Sequence, residues 1–191
     1  MSEQIFDRYY SFKEWSNLPN EIRTELYDGK IVMMSIPTPA HQMVSLRLAL
    51  QVGGFLGGKP CEFFLAPIGV RLFENLDTVV SPDALIVCDK RKIGEKMIIG
   101  APDLIVEIIT PSSTNHETTE KLYLYLKAGV REYWIISVES KIVLVYLLKN
   151  NEYTLNIYSL GAGDAEIRTG VLPEAVVNLH DLFGISVIKE L

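Results

Sequence analysis

The chain has 191 residues, 48% of them apolar, and a formal charge of −6. That length suits one domain around one core, and the apolar residues come in short runs rather than the roughly eighteen or more in a row that a membrane-crossing helix needs. The acidic total argues against a broadly basic nucleic-acid-binding surface, although a local basic face can coexist with it.

The opening MSEQIFDRYY lacks the basic start and apolar stretch of a secretory signal, so the expected location is the cytoplasm. Ser11 followed by Glu14 reads as a capping box at the start of a short helix that Pro19 closes, with Phe12 and Trp15 toward the core. TELY and KIVMMS flank Asp28-Gly29, a dipeptide suited to the positive backbone angles of a tight hairpin, which puts Glu25 on a strand. Thr38-Pro39 opens a long helix running to Gly53-Gly54, with Val44, Leu48 and the neighbouring leucines as its buried stripe. After Gly57-Gly58 the pattern changes to short strands.

EFFLAPIGVRLF is followed by ALIV after Ser81-Pro82-Asp83, and by DLIVEIIT after Ala101-Pro102. The last two are nearly continuous apolar runs, as expected of central strands covered on both faces. Asn115 to Lys127 reads as a helix ending at Gly129, with Leu122, Tyr125 and Leu126 at helical spacing. YWIIS, KIVLVYLL and EYTLNIYS then form a β-meander, and GAGDAE a surface loop. The fold expected is a single α/β domain over residues 1–191: a central mixed sheet flanked by helices, with an added meander. Cys61 and Cys88 read as separate buried thiols, and scattered His41, His116 and His180 give no support for a structural zinc site. Lys90, Arg91 and Lys92, with Lys96 nearby, read as a solvated loop.

Chemistry enters through Glu107. It lies inside Leu104-Ile105-Val106-Glu107-Ile108-Ile109, where an ionised carboxylate is costly to bury without a partner. Strand alternation puts it on the face of Ile105 and Ile109. Asp83 opens the other buried strand, and two carboxylates on neighbouring strands suit Mg²⁺ or Mn²⁺, which takes oxygen ligands together with water and substrate phosphate. Lys121, on the helix that returns along the sheet, can steady charge or an attacking water in the same cleft. Each residue has a plainer reading: a turn aspartate, an outward-facing Glu25, or a Lys121 paired with Glu117 one turn earlier. For Tyr123 and Tyr125 packing with the hydroxyl at the edge is preferred, and for His41 a role at the helix terminus.

The order ELYDGKIVMMS, Pro37-x-x-x-His41, SPDALIV, GAPDLIVEIITPSS, EKLYLYLKAGVREYWII and VLVYLL resembles the Uma-type restriction-endonuclease-like family of the PD-(D/E)XK nuclease superfamily, over roughly Glu25 to Tyr158. The resemblance implies a metal-dependent endonuclease cutting DNA, with Glu25, Asp83, Glu107 and Lys121 as its catalytic set and Asp83 and Glu107 on the metal. The superfamily's usual lysine position, two residues after the acid, is Ile109 here, so the lysine role falls to Lys121. Pro102-Asp103 is more simply a turn at a strand entry. Two other readings stand beside it: an interaction module that keeps the fold without turnover, and a hydrolase of another phosphoester. The edge strands of the meander offer a homodimer contact across a two-fold axis.

Overall fold

The computed structural model describes residues 8–19, 22–109 and 115–185, without the side chains of 115–117. Helix α1 (Phe12–Trp15) has the expected capping box, in which Ser11 and Glu14 satisfy each other's backbone N–H groups. Phe12 and Trp15 are half-buried against Tyr10, Leu26 and Val79. Strands β1 (Thr24–Tyr27) and β2 (Lys30–Met33) form the predicted hairpin. Asp28 and Gly29 both have positive φ, 48° and 76°, which is the backbone that the Asp-Gly pair favours.

Helix α2 (Pro39–Gly53) starts at Thr38, whose hydroxyl accepts from the His41 N–H. Val44, Leu48 and Val52 are buried, but Leu46 and Leu50 are not: they lie on the outer side of the helix, away from the expected stripe. Next come β3 (Glu62–Leu65), β4 (Gly69–Arg71), β5 (Ala84–Val87), β6 (Met97–Ile99) and β7 (Leu104–Ile109). They are followed by α3 (Asn115–Ala128), β8 (Glu132–Ser137), β9 (Ile142–Lys149), β10 (Glu152–Ser159), β11 (Glu166–Arg168), β12 (Val176–Asn178) and α4 (Leu179–Phe183).

Six strands make one mixed sheet in the order β10-β9-β8-β7-β5-β3. Within this sheet, β7 and β8 are the one parallel pair among the described residues, joined by α3 as the crossover. The expected meander β8-β9-β10 is present and continues this sheet. Ala84 to Val87 are all buried, as are Leu104 to Ile108, which fits the apolar runs read as central strands. Alternation sorts the strands between two faces. Leu104, Val106 and Ile108 pack with α2 residues, β12 and α4 on one side, while Ile105 packs with Leu124, Tyr125 and Tyr133 on the other. The buried side of α3 is therefore Lys121, Leu124 and Tyr125, with Leu126 only half-covered.

Cys61 and Cys88 are not separate thiols; they form a disulfide. They stand one step beyond Glu62 and Val87, a directly paired position of antiparallel β3 and β5, so strand register brings them together across 27 residues of sequence. Among the described residues no helix is long and apolar enough to cross a membrane.

Candidate active site

A cleft of about 450 Å³ opens beside the end of β7. Its walls come from the β1–β2 hairpin, the segment Ser35 to Thr38, the first turns of α2, the end of β3, Ser81 and Asp83, β7 and α3. Glu25, Asp83, Glu107 and Lys121 all line it. The elements that carry them follow from local sequence.

Hairpin strand β1 is fixed by reciprocal backbone bonds between Leu26 and Val79, at 2.9 and 2.7 Å. That stitch turns the Glu25 carboxylate inward, where it accepts from the Ser81 N–H at 2.7 Å and is 4% exposed. Glu25 is thus not on the outer face of its strand. Asp83 sits where the chain enters β5, and its Oδ2 accepts from the Ile108 N–H at 2.7 Å, locking it to β7. Glu107 lies on the α3 side, as alternation requires, and α3 presents two side chains one turn apart. Lys121 Nζ is 3.1 Å from Oε1 of both Glu25 and Glu107. The Tyr125 hydroxyl donates to the same Glu107 oxygen at 2.7 Å.

Tyr125 is completely buried, so its hydroxyl is at the heart of the site and not at an edge. Glu117 and any partner it has lie outside the described side chains. His41, expected at the helix terminus, is there and also lines the cleft. From the first turn of α2 its Nε2 lies 3.1 Å from Asp83 Oδ1, and the residue is 9% exposed, while Nδ1 is buried with no hydrogen-bond partner among the described residues. The signal was present in the Pro37-x-x-x-His41 spacing, but nothing local to the helix names Asp83 as its partner.

The electrostatics are unbalanced. Three carboxylates face one ammonium, and burial, with Asp83 and Glu25 adding to it against the pull of Lys121 and Tyr125, pushes the Glu107 carboxyl up to about 7. Burial alone would lower the Lys121 pKa, but Glu107 and Glu25 outweigh it and the net shift is upward, so Lys121 is an ammonium at neutral pH. Burial also holds the Tyr125 phenol well above its ordinary value, keeping it a donor. Excess negative charge on oxygen ligands is the donor chemistry that hard divalent cations take, with water completing the shell. Among the described residues no three or more His, Cys, Asp or Glu side chains form a ready-made metal cage; the set fits the sparer kind of site built on two carboxylates.

Other charged groups are explained without chemistry. Glu132, at the start of β8, is 1% exposed, and its oxygens accept from Trp134 Nε1 and from the N–H groups of Gly170 and Val171, at 2.7 to 2.9 Å. Asp103 accepts from the Cys88 N–H and pairs with Arg131, as a strand-entry residue should. Lys90 and Arg91 pair with Glu62 and Asp89 at the surface.

A family model described as "Uma2: Putative restriction endonuclease" matches residues 7–180. An uncharacterized protein of Synechocystis sp. is 24% identical over 153 residues, 80% of this chain and 80% of that one. A crystal structure described as a "putative nuclease belonging to DUF820" from Anabaena variabilis is 21% identical, with a TM-score of 0.75 over 92% of this chain and 98% of its own. At that identity the likeness establishes the fold, which is restriction-endonuclease-like.

Proposed function

The chain belongs to the Uma2 family, and on that premise we propose that it is a nuclease hydrolysing DNA phosphodiester bonds with a divalent cation, Mg²⁺ or Mn²⁺, held by Asp83 and Glu107. The observation that carries this reading is the convergence of Glu25, Asp83 and Glu107 with Lys121 on one cleft, three carboxylates against two Lys or Arg side chains, Lys121 and Arg23, among the described lining residues. A cation there would polarise the phosphodiester and make water a better nucleophile.

The chain's own residues then take separate tasks. Ile108 N–H and His41 fix the two oxygens of Asp83, so its carboxylate is oriented before any ligand arrives. Tyr125 and Lys121 do the same for Glu107. Because Lys121 stays charged at neutral pH, it does not serve as a base; it stabilises the negative charge that builds on the phosphate in the transition state. Glu25 holds Lys121 in place from the opposite side.

The test is calorimetric Mn²⁺ binding and cleavage of plasmid and single-stranded DNA, comparing wild type with Asp83→Asn, which keeps the side chain's shape. Binding and cutting by wild type, and loss of both in the variant, bear the proposal out; a wild type that neither binds metal nor cuts leaves the non-catalytic module in its place. Among the cleft-lining residues Arg23 and Lys121 supply the Lys and Arg charge, a small number for a duplex backbone. That favours a second reading, a smaller phosphoester substrate, if metal binds but DNA is not cut.

His41→Ala is expected to weaken Mn²⁺ binding by about 10- to 100-fold, the usual cost of losing a group that orients a metal ligand. Equal affinities by calorimetry would show that Ile108 alone holds Asp83.

A further inference from the structure

We propose that the outer face of α2 is a homodimer interface, in which two copies of the chain pack α2 against α2 antiparallel about a two-fold axis. This does not depend on the nuclease reading.

The argument starts from the composition of the helix. Across PAHQMVSLRLALQVG the only Lys, Arg, Asp or Glu is Arg47. The inner side, Val44, Leu48 and Val52, is spent on the core. The outer side carries Met43, Leu46 and Leu50, at 44%, 48% and 70% exposure. Their spacing of three and then four residues makes one continuous stripe. A helix with an apolar stripe on each of two sides has two faces to cover, and α2 has an interior on one side only. Just before the helix, Ile36 and Met33 add two more exposed apolar side chains.

Three features select a second copy as the cover. The stripe is nearly symmetric about Leu46, so an antiparallel pair would set Leu46 against its own copy on the axis and Met43 against Leu50 across it, the self-complementary pattern of a two-fold contact. The apolar side chains named expose on the order of 500 Å² per copy, most of the roughly 800 Å² per partner of a standard interface, with flanking polar residues such as Gln42 supplying the rim. Two chains of formal charge −6 repel each other, and this face, which carries no Asp or Glu and only the half-buried Arg47 at its flank, lets them approach without opposing acidic side chains. A nucleic acid would need more cations than the single Arg47 beside the stripe.

The edge strand of the meander is the weaker site: β10 exposes two large apolar side chains, Leu155 and Ile157 at 44% and 60%, against the five exposed on and before α2. Met33 and Ile36 also line the cleft, so the α2 interface borders its mouth.

Sedimentation equilibrium of the full chain at micromolar concentration should give twice the 21.5 kDa chain mass. Leu46→Glu, a half-exposed position, should raise the dimer dissociation constant at least about 100-fold with an unchanged circular dichroism spectrum, as expected for a central interface residue. Leu46→Cys should cross-link to itself under mild oxidation, and Ile157→Glu should leave the dimer intact. A wild type that is monomeric throughout, which is also the outcome if a different protein covers this face, overturns the proposal. So does a dimer that survives Leu46→Glu or is lost in Ile157→Glu.

Discussion

Lys121→Met is expected to lower folding stability by roughly 3–5 kcal/mol, the cost of leaving buried charge without its partner. Lys121 is 7% exposed and is the ammonium between Glu25 and Glu107, which are 4% and 9% exposed. Methionine fills much of the same volume, so packing changes little and the loss is electrostatic. Glu107 responds by taking up a proton, which limits the damage at low pH and leaves it largest above about pH 7. Against a total stability of about 5–15 kcal/mol for a domain of this kind, the effect should be plain in urea melts. Adding Glu25→Gln to Lys121→Met should recover part of the loss, because one of the stranded charges is gone. A change below about 1 kcal/mol would mean that water reaches the triad and screens it. The practical consequence is that a Lys121 variant without activity is uninformative until its folding has been measured, whereas Asp83→Asn does not strip a buried pair of its cation.

Much of this architecture was legible because periodicity and turn chemistry agreed. Asp28-Gly29, Thr38-Pro39 and Gly129 marked boundaries that the backbone respects, and the apolar runs around Ile86 and Val106 read as central strands because no face of them meets water. The pairing of β4 with β6 and of β11 with β12, and the short α4, were not legible: three-residue strands carry no period, and their pairing is decided by what the main sheet leaves uncovered. The disulfide depended on register between β3 and β5, which neither strand encodes alone. Leu46 and Leu50 looked like core because a count of leucines does not separate the two sides of a helix.

The site shows the same division. Glu107 was legible because its burial cost demanded partners, and alternation gave the correct face. Yet burial of an acid does not by itself nominate chemistry, since Glu132 is more deeply buried and is fully satisfied by Trp134, Gly170 and Val171. What separates them is the company: Glu132 accepts from neutral donors, whereas Glu107 shares its surroundings with two further carboxylates and a cleft. The contact of His41 with Asp83 was not legible because the two belong to different elements, and only the tertiary fold sets that distance.

That difference in company leads to the second large effect. Glu107→Gln is expected to reduce cleavage by roughly a thousandfold or more, because a catalytic metal contributes several kcal/mol to the transition state and the amide is a poor ligand for it. The same substitution should change how stability depends on pH. In the folded protein the Glu107 carboxyl titrates near about 7, against an ordinary 4.5, so the fold binds its proton more tightly than the unfolded chain does. Its contribution is therefore fully present below about 4.5 and is lost as pH rises through about 7, on the order of 3 kcal/mol at most. Lys121 remains charged across this window and adds no slope of its own. A divalent cation binds the deprotonated form, so Mn²⁺ should raise the melting temperature more at pH 8 than at pH 5.5, and Glu107→Gln should abolish both the slope and the cation's effect. Melts at the two pH values, with and without Mn²⁺, decide the matter. A wild type whose Mn²⁺ shift is the same at both would mean that the cation is bound without displacing the Glu107 proton, and that Asp83 holds it alone.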